Sequence, residues 1–160
     1  MRPRMRPFCL VAAASFALMT ALAPAGAEAP VAAPVFAPVP GAEADLATYV
    51  WEKRPVVVFA DSAADPAFAE QMAAIAERWP DLAARDVVVI ADTTPEPMSA
   101  LRRKLRPRGF SLVLIEKDGT IAARKPLPWS GREIIGAIDK MPIRREEIRR
   151  GAGSGGTTGY

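Results

Sequence analysis

Two short, continuous apolar runs stand out along the chain, Pro55–Ala60 and Asp86–Ala91, both rich in β-branched residues. Continuous β-branched runs of this length fit strands covered on both faces. Between them Phe68, Met72, Ile75 and Trp79 recur at helical spacing. Asp65 is placed to cap that helix, Pro66 suits its first turn, and Pro80 is expected to end it. A strand, a helix and a second strand in this order form a crossover unit whose strands are parallel.

A second helix is predicted from a cap at Thr94, with Pro95 in its first turn, Met98, Leu101 and Leu105 on one face, and Pro107 beyond its end. Next, Phe110–Glu116 and Thr120–Arg124 flank Asp118-Gly119, the dipeptide that supplies the positive φ values of a tight hairpin turn. A last helix is expected to start at Ser130, three residues before Glu133 in a capping-box spacing, with Ile134, Ile135 and Ile138 facing inward. The resulting order is β-α-β-α-β-β-α.

This order matches a thioredoxin-like α/β fold, in which a hairpin joins antiparallel to the first strand and gives a mixed sheet with helices on both faces. The runs Leu46–Phe59, Leu112–Gly119 and Ile138–Glu147 resemble the bacterial family called domain of unknown function 4174. The resemblance spans about Leu46 to Arg150. It implies a thioredoxin- or peroxiredoxin-like fold and a periplasmic setting, and it brings no established activity.

The ends read differently. Arg2, Arg4 and Arg6 precede an uncharged run from Phe8 to Ala23, followed by the small-residue pattern Ala25-Gly26-Ala27. That layout predicts a signal peptide over residues 1–27, cleaved near Ala27, and a periplasmic or secreted protein. The apolar run is short for a membrane span, so contact with the membrane is expected only through the transient signal. Cys9 lies too early for a lipoprotein signal. Residues 28–43, with Pro30, Pro34, Pro38 and Pro40, are expected to be an extended linker, residues 44–150 the folded domain, and residues 151–160 a glycine-rich mobile tail.

Charge then changes the picture. The net charge of +3 over the whole chain falls to balance once Arg2, Arg4 and Arg6 are removed, which takes away the electrostatic case for nucleic acid. There is no histidine to serve as base or soft metal ligand, and Cys9 is the one cysteine. Thioredoxin-like enzymes carry their reactive cysteine in the loop after the first strand. Here that loop reads Asp61-Ser-Ala-Ala-Asp65, which excludes thiol-disulfide exchange or peroxide reduction through a protein cysteine there. Gly109 and Phe110 occupy the stretch where such enzymes hold a cis proline.

Asp61 and Asp65 are candidate ligand contacts because sites in α/β folds form at strand ends; Asp92 lies at the second such end. Their plainer role is helix capping and solvated surface, and no metal or cofactor is expected. Ser62, Ser99, Ser111 and Ser130 lack both a nucleophile elbow and a histidine partner. The basic run Arg102, Arg103, Lys104, Arg106 and Arg108 is expected to be a solvated face at a helix C-terminus, with anionic lipid headgroups as the alternative. Tyr49 and Trp51 read as core packing. Arg144 and Arg145 lie in a segment whose Arg144/Glu147 and Glu146/Arg150 spacings predict a short ion-paired helix. They are candidate partner contacts, and one of them is a candidate to fold back onto Asp61 or Asp65. The function expected is a non-enzymatic module binding a periplasmic protein or envelope component. The alternatives are an enzyme with a repurposed, cysteine-independent site at the strand C-terminal ends, and a stress-induced envelope factor.

Overall fold

The computed structural model describes residues 33–154. The predicted signal peptide, Cys9 and the last six residues lie outside the described residues.

Five strands form one mixed sheet: β1 (Val39–Pro40), β2 (Arg54–Phe59), β3 (Val87–Asp92), β4 (Ser111–Ile115) and β5 (Ile121–Lys125), in spatial order β1-β3-β2-β4-β5. The crossover puts β3 parallel to β2, with Val57 opposite Ile90, and the hairpin runs β4 antiparallel to β2, with Val57 opposite Val113. Gly119 takes φ +85 in the hairpin turn, as the Asp118-Gly119 dipeptide predicts.

The sheet is central because alternate residues of β2 go to opposite faces, and both faces are apolar. Val56 and Val58 pack with Val89, Leu112 and Leu114 under three helices: α1 (Pro66–Glu77), α2 (Trp79–Ala83) and α4 (Gly131–Asp139). Those helices contribute Ile75, Leu82, Ile134 and Ile138. Val57 and Phe59 face the other way, with Ile90, Val113 and Ile115, under α3 (Ala100–Leu105) through Leu101 and Leu105 and under a single 3-10 turn at Leu46–Tyr49. The starts of α1 and α4 have a local cause. Asp65 caps α1 by accepting from the Ala67 amide, and Ser130 with Glu133 forms the predicted capping box of α4.

Four expectations change. Residues 28–43 do not read as spacer to their end, since Phe36 meets Trp79 edge-on at 5.3 Å and Val39–Pro40 pairs with Ile90 and Ala91. Pro40 within that pairing is compatible with an edge strand, which needs donors on one side only. Pro80 lies in the first turn of α2 instead of closing one long helix. The second long helix begins not at Thr94 but at Ala100, capped by Ser99, because Pro95 and Pro97 push the residues before them out of helical conformation. Trp51 is 65% exposed and has φ +67, so a left-handed turn breaks its alternation with Tyr49, which does pack on the core.

After α4 the chain turns at Met141 into α5 (Pro142–Ser154), so residues 151–154 of the expected mobile tail continue a helix, and the rest of that tail lies outside the described residues. It is held at the end of the sheet where β2 begins and β4 finishes. There Glu147 lies 3.0 Å from Arg54 and 2.9 Å from Lys117, and the Ile143 amide donates to Glu116. The expected Arg144/Glu147 and Glu146/Arg150 pairs form along α5, at 3.3 and 3.5 Å. No described helix is long and apolar enough to cross a membrane.

Candidate functional site

The two parallel strands β2 and β3 end side by side, and the chain leaves both toward the same end of the sheet, where the Ala60 amide donates to the Asp92 carbonyl. This is the end at which α/β folds build ligand sites. Asp61 follows β2 and is 66% exposed, whereas Asp92 closes β3 and is buried.

Asp92 is buried as an ion because its oxygens are paired. One accepts at 2.8 Å from Nε of Arg102, and the other accepts the Ser99 hydroxyl at 2.6 Å. Ser99 turns the remaining side of that hydroxyl to the Arg102 amide, which caps α3. Backbone packing leaves Asp92 no room to move: an added Cβ at Gly41 would lie 2.5 Å from the Asp92 Cβ.

Arg102 is 7% exposed. Beyond the Asp92 carboxylate, its Nη2 donates to the carbonyls of Ala60 and Asp92, and its guanidinium lies over the Phe59 ring, 5.5 Å from the centroid. A cation this deep is tolerable because charge, hydrogen bonds and ring face all compensate it. Nη1 has no such bond; its neighbour is Asp61 Oδ1, at 3.9 Å. The expectation of a uniformly solvated basic run is therefore corrected at its first residue. Arg102 follows Leu101 on α3 and turns inward with it, while Arg103 and Lys104 stay exposed.

Beside this cluster runs a groove of about 680 Å³ lined by Asp61, Pro95, Met98, Arg102, Arg106 and Pro107, together with Glu96 and Arg103. Its volume is that of a small-ligand cleft. Met98, predicted to pack inside, is 52% exposed at its wall. Arg103 donates to the Met98 carbonyl and so ties the wall to α3.

The sequence candidates separate. Asp61 lies at the groove, and Asp65 is occupied as the cap of α1. Arg144 pairs with Glu147 at 3.3 Å and lies 3.8 Å from Asp139, at the other end of the sheet. It therefore does not fold back onto Asp61 or Asp65; the arginine beside Asp61 is Arg102. Arg145 is exposed on α5. The serines are also accounted for, since Ser62 accepts from the Ala64 amide, Ser130 forms its capping box, Ser99 belongs to the Asp92 cluster and Ser111 is buried at the start of β4. Among the described residues no group of three or more Asp or Glu side chains could hold a metal ion. The cis peptide bond among them is Glu96–Pro97, on the groove wall, not at Gly109-Phe110.

The opposite end of the sheet holds a second ionic cluster. Arg54 is fully buried and donates to the Arg85 carbonyl. Its Nη2 faces Glu147 out of line for a hydrogen bond, and its Nε has no partner. Lys117 bridges Asp86 and Glu147 at 2.8 and 2.9 Å. Burial pushes the Glu147 carboxyl upward, but the Lys117 ammonium and Arg54 guanidinium outweigh it and hold its pKa at about 2. Arg85 grips Asp139 with two hydrogen bonds, at 2.8 and 2.9 Å, and holds its carboxyl below the usual range. Glu147 of α5 closes over Arg54 and Lys117.

Residues 45–147 match the family described as a domain of unknown function (DUF4174). Among solved structures, the reduced 2-Cys peroxiredoxin of Plasmodium vivax is similar to this chain at 13% identity and a TM-score of 0.52, over 64% of this chain and 84% of that one. Thioredoxin-2, described as a component of the malaria parasite protein secretion machinery, is similar at 19% identity and a TM-score of 0.45, over 56% of this chain and 84% of that one. The peroxiredoxin likeness supports a thioredoxin-like fold and nothing finer.

Proposed function

We propose a binding role for this chain, which belongs to the family described as a domain of unknown function (DUF4174): an exported thioredoxin-like module that recognises a periplasmic protein or envelope component. Recognition takes place in the groove between Asp61 and Met98. One observation carries the reading. Beside an open groove, Asp92 is committed to Arg102 and Ser99 and Asp65 to α1, and the carboxylates left open, Asp61 and Glu96, have no serine among the lining residues and no histidine in the chain to work with. A reactive centre pairs such a group with a nucleophile or a second acid-base partner. A recognition groove needs a fixed polar anchor and apolar walls, here Arg102 with Pro95, Met98 and Pro107.

The loop after β2 supports the same reading, because it offers Asp61, Ser62 and Asp65 where a thioredoxin-like enzyme needs a thiolate. Export rests on the layout of residues 1–27, and the protein recovered from the periplasm is expected to begin near Glu28.

The test is a photo-crosslinking residue placed at Met98 in cells, beside the same residue placed at Arg145. The expected result is one dominant adduct from Met98 and none in common with Arg145. No adduct from Met98, or the same adducts from both positions, defeats the reading. A turnover activity of the purified protein that Asp61→Ala abolishes would replace it with the enzymatic alternative.

A further inference from the structure

We infer that the groove takes a monocarboxylate with an apolar body, its carboxylate held by Nη1 of Arg102 in the position Asp61 now borders. The inference rests on the binding reading above and names the chemistry of that site's ligand.

Arg102 is the anchor because it is buried and immobile, with Nε and Nη2 fixed by Asp92 and the two strand-end carbonyls. Arg102 lines the groove, and Nη1 is its one guanidinium nitrogen without a hydrogen bond among the described residues; the neighbour of Nη1, Asp61, lines the same groove. A terminal guanidinium nitrogen carries two hydrogens, so this edge of Arg102 offers a deeply set, preorganised cationic donor beside the groove. Its neighbour is itself a carboxylate, that of Asp61, at 3.9 Å, too far for a hydrogen bond. Asp61 is largely exposed and can swing into solvent, so it acts as a displaceable counter-ion.

The charge of the ligand follows from the same neighbours. Asp92 already neutralises Arg102, and Asp61 and Glu96 line the groove with Arg103 and Arg106. A single negative charge meets this balanced rim without large repulsion, whereas a phosphate near −2 adds a second charge that two carboxylates and two arginines leave unmatched. The body of the ligand is apolar because the walls around the anchor are Pro95, Met98 and Pro107. Two sources share this chemistry, a free fatty-acid-like molecule and the C-terminus of a peptide.

Calorimetric titration of the purified protein with octanoate and with neutral octanamide tests the inference, in the wild type and in Asp61→Asn. A peptide ending in an apolar residue, with its carboxyl free or amidated, forms the second pair of probes. Octanoate or the free-carboxyl peptide is expected to bind at least about tenfold more tightly than its neutral twin. Asp61→Asn is expected to tighten the anion about three- to tenfold, by removing a competing charge, and to leave the neutral probe unmoved. The tighter of the two anions assigns the source, and either one supports the inference.

Equal binding of charged and neutral probes overturns it, and so does an Asp61→Asn variant with unchanged anion affinity. Asp61 is exposed, so the variant keeps the fold, which its thermal melt checks. If neither anion binds while Met98 still crosslinks its partner in cells, the ligand class is wrong and the binding reading stands. If both experiments fail, both readings fall.

Discussion

Each end of the central sheet contains a buried arginine, and the two are solved differently. Arg54, at the start of β2, lies beneath Glu147 of α5, beside Lys117 and Asp86. Arg102, against the far ends of β2 and β3, is matched by one buried carboxylate and two carbonyls, and its last nitrogen is left toward a groove. Both guanidiniums carry the desolvation cost of a charge moved out of water, and both are compensated by anions. The difference lies in the cover. At the first end an entire helix is fixed by the charges, so the cluster is a fastening. At the second the anion next to Nη1 is an exposed surface side chain, so the cluster is an anchor with room for a guest.

The strongest way to break this comparison is to remove the carboxylate that both stabilises and positions the anchor. Asp92→Ala leaves Arg102 buried without its counter-ion and strips Ser99 of its acceptor, and is expected to cost about 3 to 5 kcal/mol of stability. Urea unfolding followed by tryptophan fluorescence reads it. A loss below about 1 kcal/mol would mean that water already reaches Arg102 and that its burial fixes nothing.

At the other end Glu147→Gln keeps shape but removes charge. Glu147 is 25% exposed, and its pKa of about 2 lies below the ordinary value of 4.5. Discounted for solvent screening, the loss is expected to be about 2 kcal/mol. The sign in pH follows from the depressed value. The folded state holds the proton less tightly than the unfolded chain, so the contribution is fully present above the unfolded pKa and is lost as pH falls from about 4.5 through about 2. Asp139, lowered by Arg85, adds in the same direction. Wild-type stability should therefore drop over that window, and Glu147→Gln should flatten the slope. An unchanged slope would show that the charges around Glu147 do not fasten α5.

A smaller effect tests how far the anchor depends on the stretch before the domain's predicted start. Gly41→Ala pushes a methyl to within 2.5 Å of the Asp92 Cβ and forces β1 or Asp92 to shift, at about 1 to 2 kcal/mol. The Gly41 amide bond to the Ala91 carbonyl is expected to open with it, seen as faster amide exchange at Gly41.

That coupling was invisible in the sequence, and the reason is physical. Local rules wrote most of the fold: valine runs gave the strands, Asp118-Gly119 the hairpin, Asp65-Pro66 and Ser130 with Glu133 the helix starts. Each of those signals acts within a few residues. A proline-rich stretch has no periodicity, so nothing local shows that Phe36 will cover Trp79 or that Val39 will pair with Ile90. Arg102 was hidden in a different way, among four other basic residues that form an ordinary charged helix end. Its inward turn depends on Asp92, ten residues back, and on two carbonyls of separate strands. The available signal was its place beside Leu101 and one turn before Leu105, on the border of the apolar face. Asp61 was legible as a strand-end residue, yet its relation to Arg102 was not, and Arg144 drew notice although it serves the fastening of α5 and α4 at the other end.

The smallest expected effect on stability is the most discriminating. Asp61→Asn removes a carboxylate from an arginine that is 93% buried, an exchange that would be severe if the two formed a buried pair. The side chain is instead 66% exposed and 3.9 Å away, so solvent screens the attraction and the loss should stay within about 0.5 kcal/mol. Set beside Glu147→Gln, the same change of one charge near one buried arginine then gives a clear loss at the fastened end and almost none at the open end. A loss of about 2 kcal/mol for Asp61→Asn would make Asp61 a structural lid instead of a displaceable counter-ion, and the two ends of the sheet would be variants of one fastening.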